Sequence, residues 1–157
     1  MTWRPDLTVA AIVQREDGRF LVVEERIGNS MVFNQPAGHV EDGESITAAT
    51  IRETLEETAW QFLPQNLVGL YLWRNPLNNQ SVLRIALSGS VRAHDPDRKL
   101  DRGIVAAHWL SRDALAAQPA RLRSPLVLQC IDDYLAGRRF DLAALNHMTV
   151  QPVAQSA

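Results

Sequence analysis

The sequence predicts an α/β fold in which a mixed β-sheet lies between helices. Three observations support this prediction. Apolar runs of strand type and helical segments follow one another in the order strands, helix, strands, helix. The chain has 157 residues, of which 46% are hydrophobic and 22% charged, as in a globular protein with one core. No repeat, linker or low-complexity segment interrupts it. We therefore expect a single domain over residues 1–157, with a core from about 7 to 142.

The first predicted elements are two strands joined as a hairpin. Residues 8–15 and 19–26 are apolar and rich in β-branched side chains, and Asp17-Gly18 between them favours a tight turn. Residues 33–40 form a short extended stretch interrupted by proline and glycine. A helix is predicted from its N-cap, Ser45, to about residue 60.

The second half of the chain continues with strands 67–74 and 81–91, separated by a turn-rich loop over 75–80. A charged loop, 92–102, leads to a strand over 104–110. Ser111 is expected to cap a short helix, and a longer helix is predicted over 125–138 because proline suits a first turn. The tail from about residue 148 lacks periodicity, so we expect it to be flexible.

Composition excludes several classes of function. The net charge of −2 offers no excess of cations for binding nucleic acid through its phosphates. No stretch approaches the roughly 20 apolar residues that span a bilayer, and the N-terminus does not resemble a signal peptide. A single cysteine, Cys130, excludes an intrachain disulfide. We expect a cytoplasmic protein that binds neither nucleic acid nor membrane.

The predicted first helix carries an unusual group of carboxylates. Glu53, Glu56 and Glu57 are spaced i, i+3, i+4 and so share one arc, where like charges each cost about 0.2–0.5 kcal/mol. The opposite arc is apolar and is expected to pack on the sheet: Ala48, Ile51, Leu55 and Ala59. The acidic arc is either a solvated surface or a site for a divalent cation, which prefers oxygen ligands. Spacing alone leaves both interpretations open.

The residues before this helix favour the cation site. Gly38, Glu44, Arg52-Glu53 and Glu56-Glu57 stand at the spacings of the Nudix box, G-x5-E-x7-R-E-U-x-E-E-x-G-U, where U is a bulky apolar residue. All six of these positions match. The chain therefore resembles the Nudix hydrolases, and the resemblance implies the Nudix fold, a phosphoanhydride substrate and dependence on Mg²⁺, with Mn²⁺ as an alternative.

The resemblance also implies roles for the box residues. Glu53, Glu56, Glu57 and the carbonyl of Gly38 are expected to bind the metal. Glu44 and Arg52 are expected to form an ion pair that orients Glu53; an ordinary surface salt bridge is the alternative. The base that activates water lies either on the helix, at a glutamate such as Glu57, or on a later loop.

Asp101 is the loop candidate for that base, because it precedes a predicted strand from which it could extend over the site. The alternative is a solvated loop aspartate among basic neighbours. Two box positions depart from the pattern. Thr54 replaces a bulky residue, and Ala59 replaces a glycine that can end a helix in a left-handed conformation. Alanine must either adopt that conformation or let the helix continue.

Four further residues are candidate substrate contacts. Arg84 interrupts an apolar strand and needs an anionic partner, either a substrate phosphate or a box glutamate. Trp73 alternates with Tyr71 and can stack on a planar ring, although such residues more often belong to a core. Asn34 and Gln35 can hydrogen-bond a pyrimidine edge, or simply belong to a proline-containing loop.

The wider context, from about residue 9 to 142, is similar to the NudJ branch of the Nudix hydrolases. This resemblance implies hydrolysis of nucleoside di- or triphosphates, or of a thiamine-pyrimidine pyrophosphate. The alternative is a non-catalytic Nudix module that binds a nucleotide-like ligand, but such modules tend to lose box glutamates and none is lost here. Whether the protein is a monomer or a homodimer stays open.

Overall fold

The structure is a computed structural model that describes residues 1–149. The prediction of a flexible tail from residue 148 therefore falls almost entirely outside the described residues. In chain order the elements are β1 Asp6–Ile12, β2 Phe20–Ile27, β3 Ser30–Asn34, β4 Ala37–His39, α1 Ile46–Thr58, β5 Gln61–Arg74, β6 Ser81–Arg92, β7 Ile104–Leu110, α2 Arg112–Ala116 and α3 Leu126–Leu135. Single turns of 3-10 helix lie at Pro119–Arg121 and Leu142–Ala144.

The strands divide between two sheets. The larger sheet has the order β4-β1-β6-β5 and is mixed, because β1 and β6 are parallel whereas the other pairs are antiparallel. The smaller sheet, β3-β2-β7, is antiparallel. One apolar cluster contains Cys130 and Ile131 of α3, and a second lies beside Ile46 of α1. The predicted α/β class is confirmed, with a second sheet beside the mixed one.

The predicted hairpin between the first two strands forms only next to its turn, as far as the bond from Leu21 N to Val13 O (3.0 Å). Arg15 N donates to Arg19 O (2.8 Å), and Gly18 adopts the left-handed φ of 82° that Asp-Gly turns favour. Beyond this turn β1 joins the larger sheet and β2 the smaller one. Both strands are buried, and pairing with separate neighbours provides each of them with hydrogen-bond partners along both edges.

Helix α1 faces the sheets with a different side from the one predicted. Ile51 is 37% exposed, whereas Glu53 and Glu57 are only 8% and 7% exposed. The buried side also carries Thr50, Thr54 and Thr58, whose hydroxyls donate to carbonyls one turn earlier. These small side chains let the helix approach the sheets closely, so it brings the two glutamates inward with them. The expectation that the apolar arc forms the buried face is wrong.

The ends of α1 match the capping predictions. Ala48 N donates to the Ser45 side chain (3.0 Å). At the other end Ala59 has φ 61° and ψ 15°, and its N–H donates to Leu55 O (2.9 Å). Alanine therefore adopts the left-handed conformation itself, at a cost of roughly 1–2 kcal/mol relative to ordinary backbone. The helix ends at Thr58, two residues before the predicted end.

The later elements follow the predictions closely. Strand β7 has the predicted bounds, and Ser111 caps α2 by accepting from Ala114 N (3.1 Å). Strand β5 begins at Gln61, earlier than predicted, because two bulges let it bend and continue pairing with β6. Helix α3 ends before Gly137, which has φ 89°. No helix of the described residues is long and apolar enough to cross a membrane. The cytoplasmic location stays a prediction.

Candidate active site

A cleft of about 580 Å³ lies where β1, β4, β6, α1 and the start of α3 meet. Its charged lining is mostly acidic. Six carboxylic acids line it: Asp6, Glu25, Glu41, Glu53, Glu57 and Asp101. The arginines in the lining are Arg84 and Arg123. The structure thus brings together most of the predicted site residues, although they lie far apart in the sequence.

Two box glutamates are buried at one end of the cleft. Glu57 accepts a hydrogen bond from the backbone N–H of Ala37 (3.0 Å) and forms no ion pair within residues 1–149. Burial, with a smaller contribution from the negative charge of Glu53, raises the pKa of Glu57 to about 9. Burial also raises the pKa of Glu53, although Arg52 opposes that shift. This end of the cleft is therefore short of positive charge.

Gly38 lies directly against the carboxylate of Glu53. A Cβ atom built on Gly38 would overlap all three atoms of that carboxylate group. Only glycine lets the β4 backbone approach the acid this closely. The close approach of the backbone to the Glu53 carboxylate thus explains why the first position of the box is a glycine.

Arg52 joins the turn before α1 to the acids on the helix. Its Nε and Nη2 donate to the two oxygens of Glu44 (2.7 and 2.9 Å), and Nη2 also donates to His39 O (2.9 Å). Its Nη1 donates to Glu53 (3.0 Å) and Glu56 (3.1 Å). These bonds raise the pKa of Arg52, and the bond from Arg52 lowers the pKa of Glu44. The predicted Glu44–Arg52 pair is present, and Arg52 also binds two further carboxylates.

Asp101 is exposed, but it lies at the acidic end of the cleft. Its backbone N–H donates to Glu56 O at 2.9 Å, which attaches the loop over residues 93–103 to α1. The charge of Asp101 contributes to the raised pKa values of Glu53 and Glu57. Glu56 itself faces an adjoining cavity of about 690 Å³, where Arg98, Lys99 and Arg102 also lie. Asp101 lines both cavities.

The residues at the acidic end fit a hard divalent cation. Within residues 1–149 no three acidic, histidine or cysteine side chains are gathered closely enough to hold an ion unaided. Magnesium, however, keeps several of its waters and needs only one or two protein carboxylates beside substrate oxygens. Two buried carboxylates that repel each other, with one arginine shared among several acids, provide such a donor set. A bound cation would offset the burial that raises their pKa values.

Arg84 is buried in the opposite wall, and only 6% of it is exposed. Its Nη1 donates to Gln35 (2.9 Å) and its Nη2 to Asn34 (3.1 Å), and burial lowers its pKa. No carboxylate of the described residues lies within 4 Å of its guanidinium. The second of the two predicted partners, a box glutamate, is therefore not in contact with it. Two neutral amides hold the cation at the cleft instead.

The other predicted substrate contacts divide into two groups. Asn34 and Trp73 line the cleft. Gln35 is only 2% exposed, and its amide NH₂ donates to Val127 O (2.7 Å) while its oxygen accepts from Arg84. Gln35 is therefore not available to a pyrimidine in this structure and instead holds Arg84 in place. Tyr71, next to Trp73 on its strand, donates to Asp133 (2.8 Å) and packs against the core.

Sequence reasoning missed several lining residues, among them Glu25 and Arg123. Glu25 lies just beyond the buried first half of β2, and one of its carboxylate oxygens is buried without a hydrogen-bond partner among residues 1–149. Arg123 lies 3.6 Å from that oxygen, longer than a hydrogen bond. Glu24-Glu25 after an apolar run was the available signal for the first residue. Nothing in the local pattern distinguished Arg123 from its basic neighbours.

Comparison with known proteins identifies the class. The family model of the NUDIX domain matches residues 4–129, so the chain belongs to the Nudix family and is a Nudix hydrolase. Over 140 residues it is 36% identical to phosphatase NudJ of Escherichia coli K12, covering 89% of this chain and 90% of the relative.

Solved structures agree with this assignment. A NUDIX hydrolase from Nitrosomonas europaea is 49% identical, with a TM-score of 0.90 over 92% of this chain and 98% of that one. The MutT protein of Methanosarcina mazei Go1 is 21% identical, with a TM-score of 0.69 over 88% of this chain and 100% of that one. At that identity the likeness to the MutT protein concerns the fold alone.

Proposed function

We propose that the protein is a divalent-metal-dependent hydrolase that cleaves a phosphoanhydride bond in a compact nucleoside di- or triphosphate, or in a thiamine-pyrimidine pyrophosphate. One observation carries the proposal. Glu53 and Glu57 are buried at one end of a substrate-sized cleft, and Glu57 has no cationic partner among the described residues. A buried carboxylate is unfavourable in its charged form without a cation, and a bound metal would supply that cation.

Glu53, Glu56, Glu57 and the carbonyl oxygen of Gly38 are the proposed metal ligands. Mg²⁺ is the proposed ion, with Mn²⁺ as an alternative. When bound, such an ion neutralises phosphate oxygens and lowers the pKa of a coordinated water. In this acidic cleft that neutralisation is required, because six carboxylic acids would otherwise repel a polyphosphate.

The chain's own residues have separate proposed tasks. Arg52, held by Glu44, orients Glu53 through its Nη1 atom. Asp101 is the proposed proton acceptor, since its carboxylate lies at the acidic end on a loop attached to α1. Arg84 and Arg123 attract the anionic part of the substrate from the opposite wall. Asn34 and Gln35 hold Arg84, so they act on the substrate through it.

The proposed substrates are compact because the cleft is. A volume of about 580 Å³ is within the range of sites for one small ligand. The similarity to phosphatase NudJ over nearly the whole chain supports a phosphorylated substrate. A sugar nucleotide or dinucleoside polyphosphate has a second large group, whereas a cleft of this volume suits one small ligand.

A panel of phosphoanhydrides tests the proposal. Nucleoside di- and triphosphates, a pyrimidine diphosphate, a sugar nucleotide and a dinucleoside polyphosphate are assayed, with orthophosphate and pyrophosphate scored separately. Turnover should stop with chelator and return with Mg²⁺. Full activity in metal-stripped protein would contradict the metal site. The substrate assignment is wrong if one of the two larger substrates exceeds every compact one in kcat/KM by more than about tenfold, or ~1.4 kcal/mol.

A further inference from the structure

On one face of the larger sheet, side chains lie in parallel rows that run across the strands. Each further row lies at a greater distance from Arg84. Paired residues on neighbouring strands share a face, and so do alternate residues along each strand. The pairing places His39, Thr8, Arg84 and Tyr71 in one row across β4, β1, β6 and β5. The next row, two residues further along the strands, contains Asp6, Val82 and Trp73.

The third row lies in the turn between β5 and β6. Asn75 N donates to Gln80 O at 2.8 Å, so these two residues continue the pairing beyond the last strand pair. All the rows reach the same cleft, since His39, Thr8, Arg84, Trp73, Val82, Asn75 and Gln80 line it. Successive rows are about 7 Å apart, the rise of two strand residues. The face therefore presents a cation, then a flat aromatic surface, then two amides.

The hydrogen bonds inside the turn determine how its amides are oriented. Leu77 N donates to Asn75 Oδ1 (2.9 Å), and Gln80 N donates to Asn78 Oδ1 (3.0 Å). Because a backbone N–H can only donate, both accepting atoms must be oxygens. The NH₂ of Asn78 then donates to Gln80 Oε1 at 3.0 Å, which orients that amide too. Within residues 1–149, the NH₂ groups of Asn75 and Gln80 make no hydrogen bond.

We propose that Trp73, Val82, Asn75 and Gln80 form a subsite for a planar nitrogen heterocycle joined to the phosphates. The ring stacks on Trp73, and acceptor atoms at its outer edge receive hydrogen bonds from the NH₂ groups of Asn75 and Gln80. Its phosphates lie toward Arg84 and the acidic end, one row away. The subsite favours rings with carbonyl or ring-nitrogen acceptors over phosphoanhydrides that lack a ring. This inference rests on the proposed function, because it takes the same cleft as the substrate site.

The ring can belong to a nucleotide or to a pyrimidine diphosphate that has no ribose. The two sources share the stacking surface and the acceptor edge. They differ in the spacer between ring and phosphate. Measuring UTP and a pyrimidylmethyl diphosphate side by side shows which spacer spans the distance from Arg84 to Trp73 better. A higher kcat/KM for either compound than for inorganic tripolyphosphate supports the subsite.

Kinetics of four variants test the stacking surface and the amide donors. Trp73→Ala should raise KM for UTP by about tenfold or more, with KM for tripolyphosphate unchanged within about twofold. Trp73→Phe should recover most of the loss, since it keeps a flat ring. Asn75→Asp and Gln80→Glu retain the oxygens that the turn requires but remove the donors, so each should raise KM for UTP about fivefold.

Asn79→Asp is the matched control for charge in the same turn. Asn79 has φ 62°, a conformation that aspartate also tolerates, and its side chain does not line the cleft. It should change KM for UTP by less than about twofold. The subsite is refuted if Trp73→Ala affects UTP and tripolyphosphate equally, or if Asn79→Asp is as damaging as Asn75→Asp.

A binding measurement separates this inference from the proposed function. Calorimetry in Mg²⁺ compares UMP with ribose 5-phosphate, which lacks the ring. The wild-type protein should bind UMP at least about tenfold more tightly, and Trp73→Ala should remove the difference. If no phosphoanhydride is hydrolysed but this preference holds, the proposed function fails and the subsite stands. Equal affinity for the two compounds would overturn the subsite even in an active enzyme.

Discussion

Arg84 lines the cleft and Arg52 contacts it through Glu53, but the two arginines have opposite surroundings. Arg52 donates to three glutamates and a carbonyl, so its charge is fully compensated within the protein. Arg84 is more deeply buried, yet within residues 1–149 it donates only to two neutral amides. An arginine already paired with acids can hold a structure together but has little attraction left for a substrate. A buried arginine without an acid partner retains that attraction.

The largest effect on stability is expected from Arg52→Met. Removing the guanidinium leaves Glu44, Glu53 and Glu56 without their shared cation, so the free energy of unfolding should fall by about 2–3 kcal/mol. Activity should fall too, because Glu53 loses its orientation. Urea unfolding and kcat/KM are measured on the same preparation. A variant as stable as wild type would show that the network is only a surface salt bridge.

Arg84→Met should separate binding from stability. The cost of burying an unpaired charge disappears together with two amide hydrogen bonds, so unfolding free energy should stay within about 1 kcal/mol of wild type. KM for the best substrate should rise by at least about tenfold, because the attraction for the substrate anion is gone. If Arg84→Met unfolds as readily as Arg52→Met while KM is unchanged, the two arginines do not differ in the way described.

Glu57, which Arg52 does not contact, should make the stability of the metal-free protein depend on pH. Folding raises the pKa of Glu57 from near 4.5 to about 9, so the folded state binds the proton more tightly than the unfolded state. In protein kept metal-free by a chelator, the free energy of unfolding should therefore be highest near pH 4.5 and should decrease as pH rises toward 9. Thermal unfolding between pH 5 and 9 measures it. Glu57→Gln should flatten this dependence, and Glu16→Gln, on an exposed turn, should leave it unchanged.

The smallest effect should come from Asn34→Asp, which gives Arg84 an acidic partner like those of Arg52. The aspartate keeps the oxygen that accepts from Arg84 Nη2 at 3.1 Å and adds a charge beside it. We expect KM to rise about fivefold, since the charge of Arg84 is then partly neutralised. Asn79→Asp again controls for added charge. A lower KM for Asn34→Asp would show that Arg84 is not the anion contact.

How much of this could be predicted from the sequence varies along the chain. The box spacing placed Gly38, Glu44, Arg52 and the glutamates together, because one turn and one helix carry them all. The buried face of α1 was mispredicted because apolar residues were taken as the inward side. The buried face is determined instead by small side chains and by threonines whose hydroxyls donate to carbonyls of the same helix.

Residues that meet through strand pairing were harder to predict. Arg84 was singled out as a charge on an apolar strand, but its amide partners come from the end of β3 and the residue after it, about 50 positions earlier. Glu25 and Arg123 meet only because β2 and the start of α3 converge on one cleft. Local patterns cannot reveal such contacts, since they depend on how two sheets pack.

Glu57 is proposed to belong to a metal site on which hydrolysis depends. Calorimetric titration of Mg²⁺ and Mn²⁺ into wild-type protein, Glu57→Gln and the control Glu16→Gln tests it most directly, with turnover of a nucleoside triphosphate measured on each. We expect wild type and Glu16→Gln to bind the ion and to be active. Glu57→Gln should remain folded but lose most metal binding and activity. A Glu57→Gln protein that binds metal and hydrolyses the triphosphate like wild type would contradict the claim.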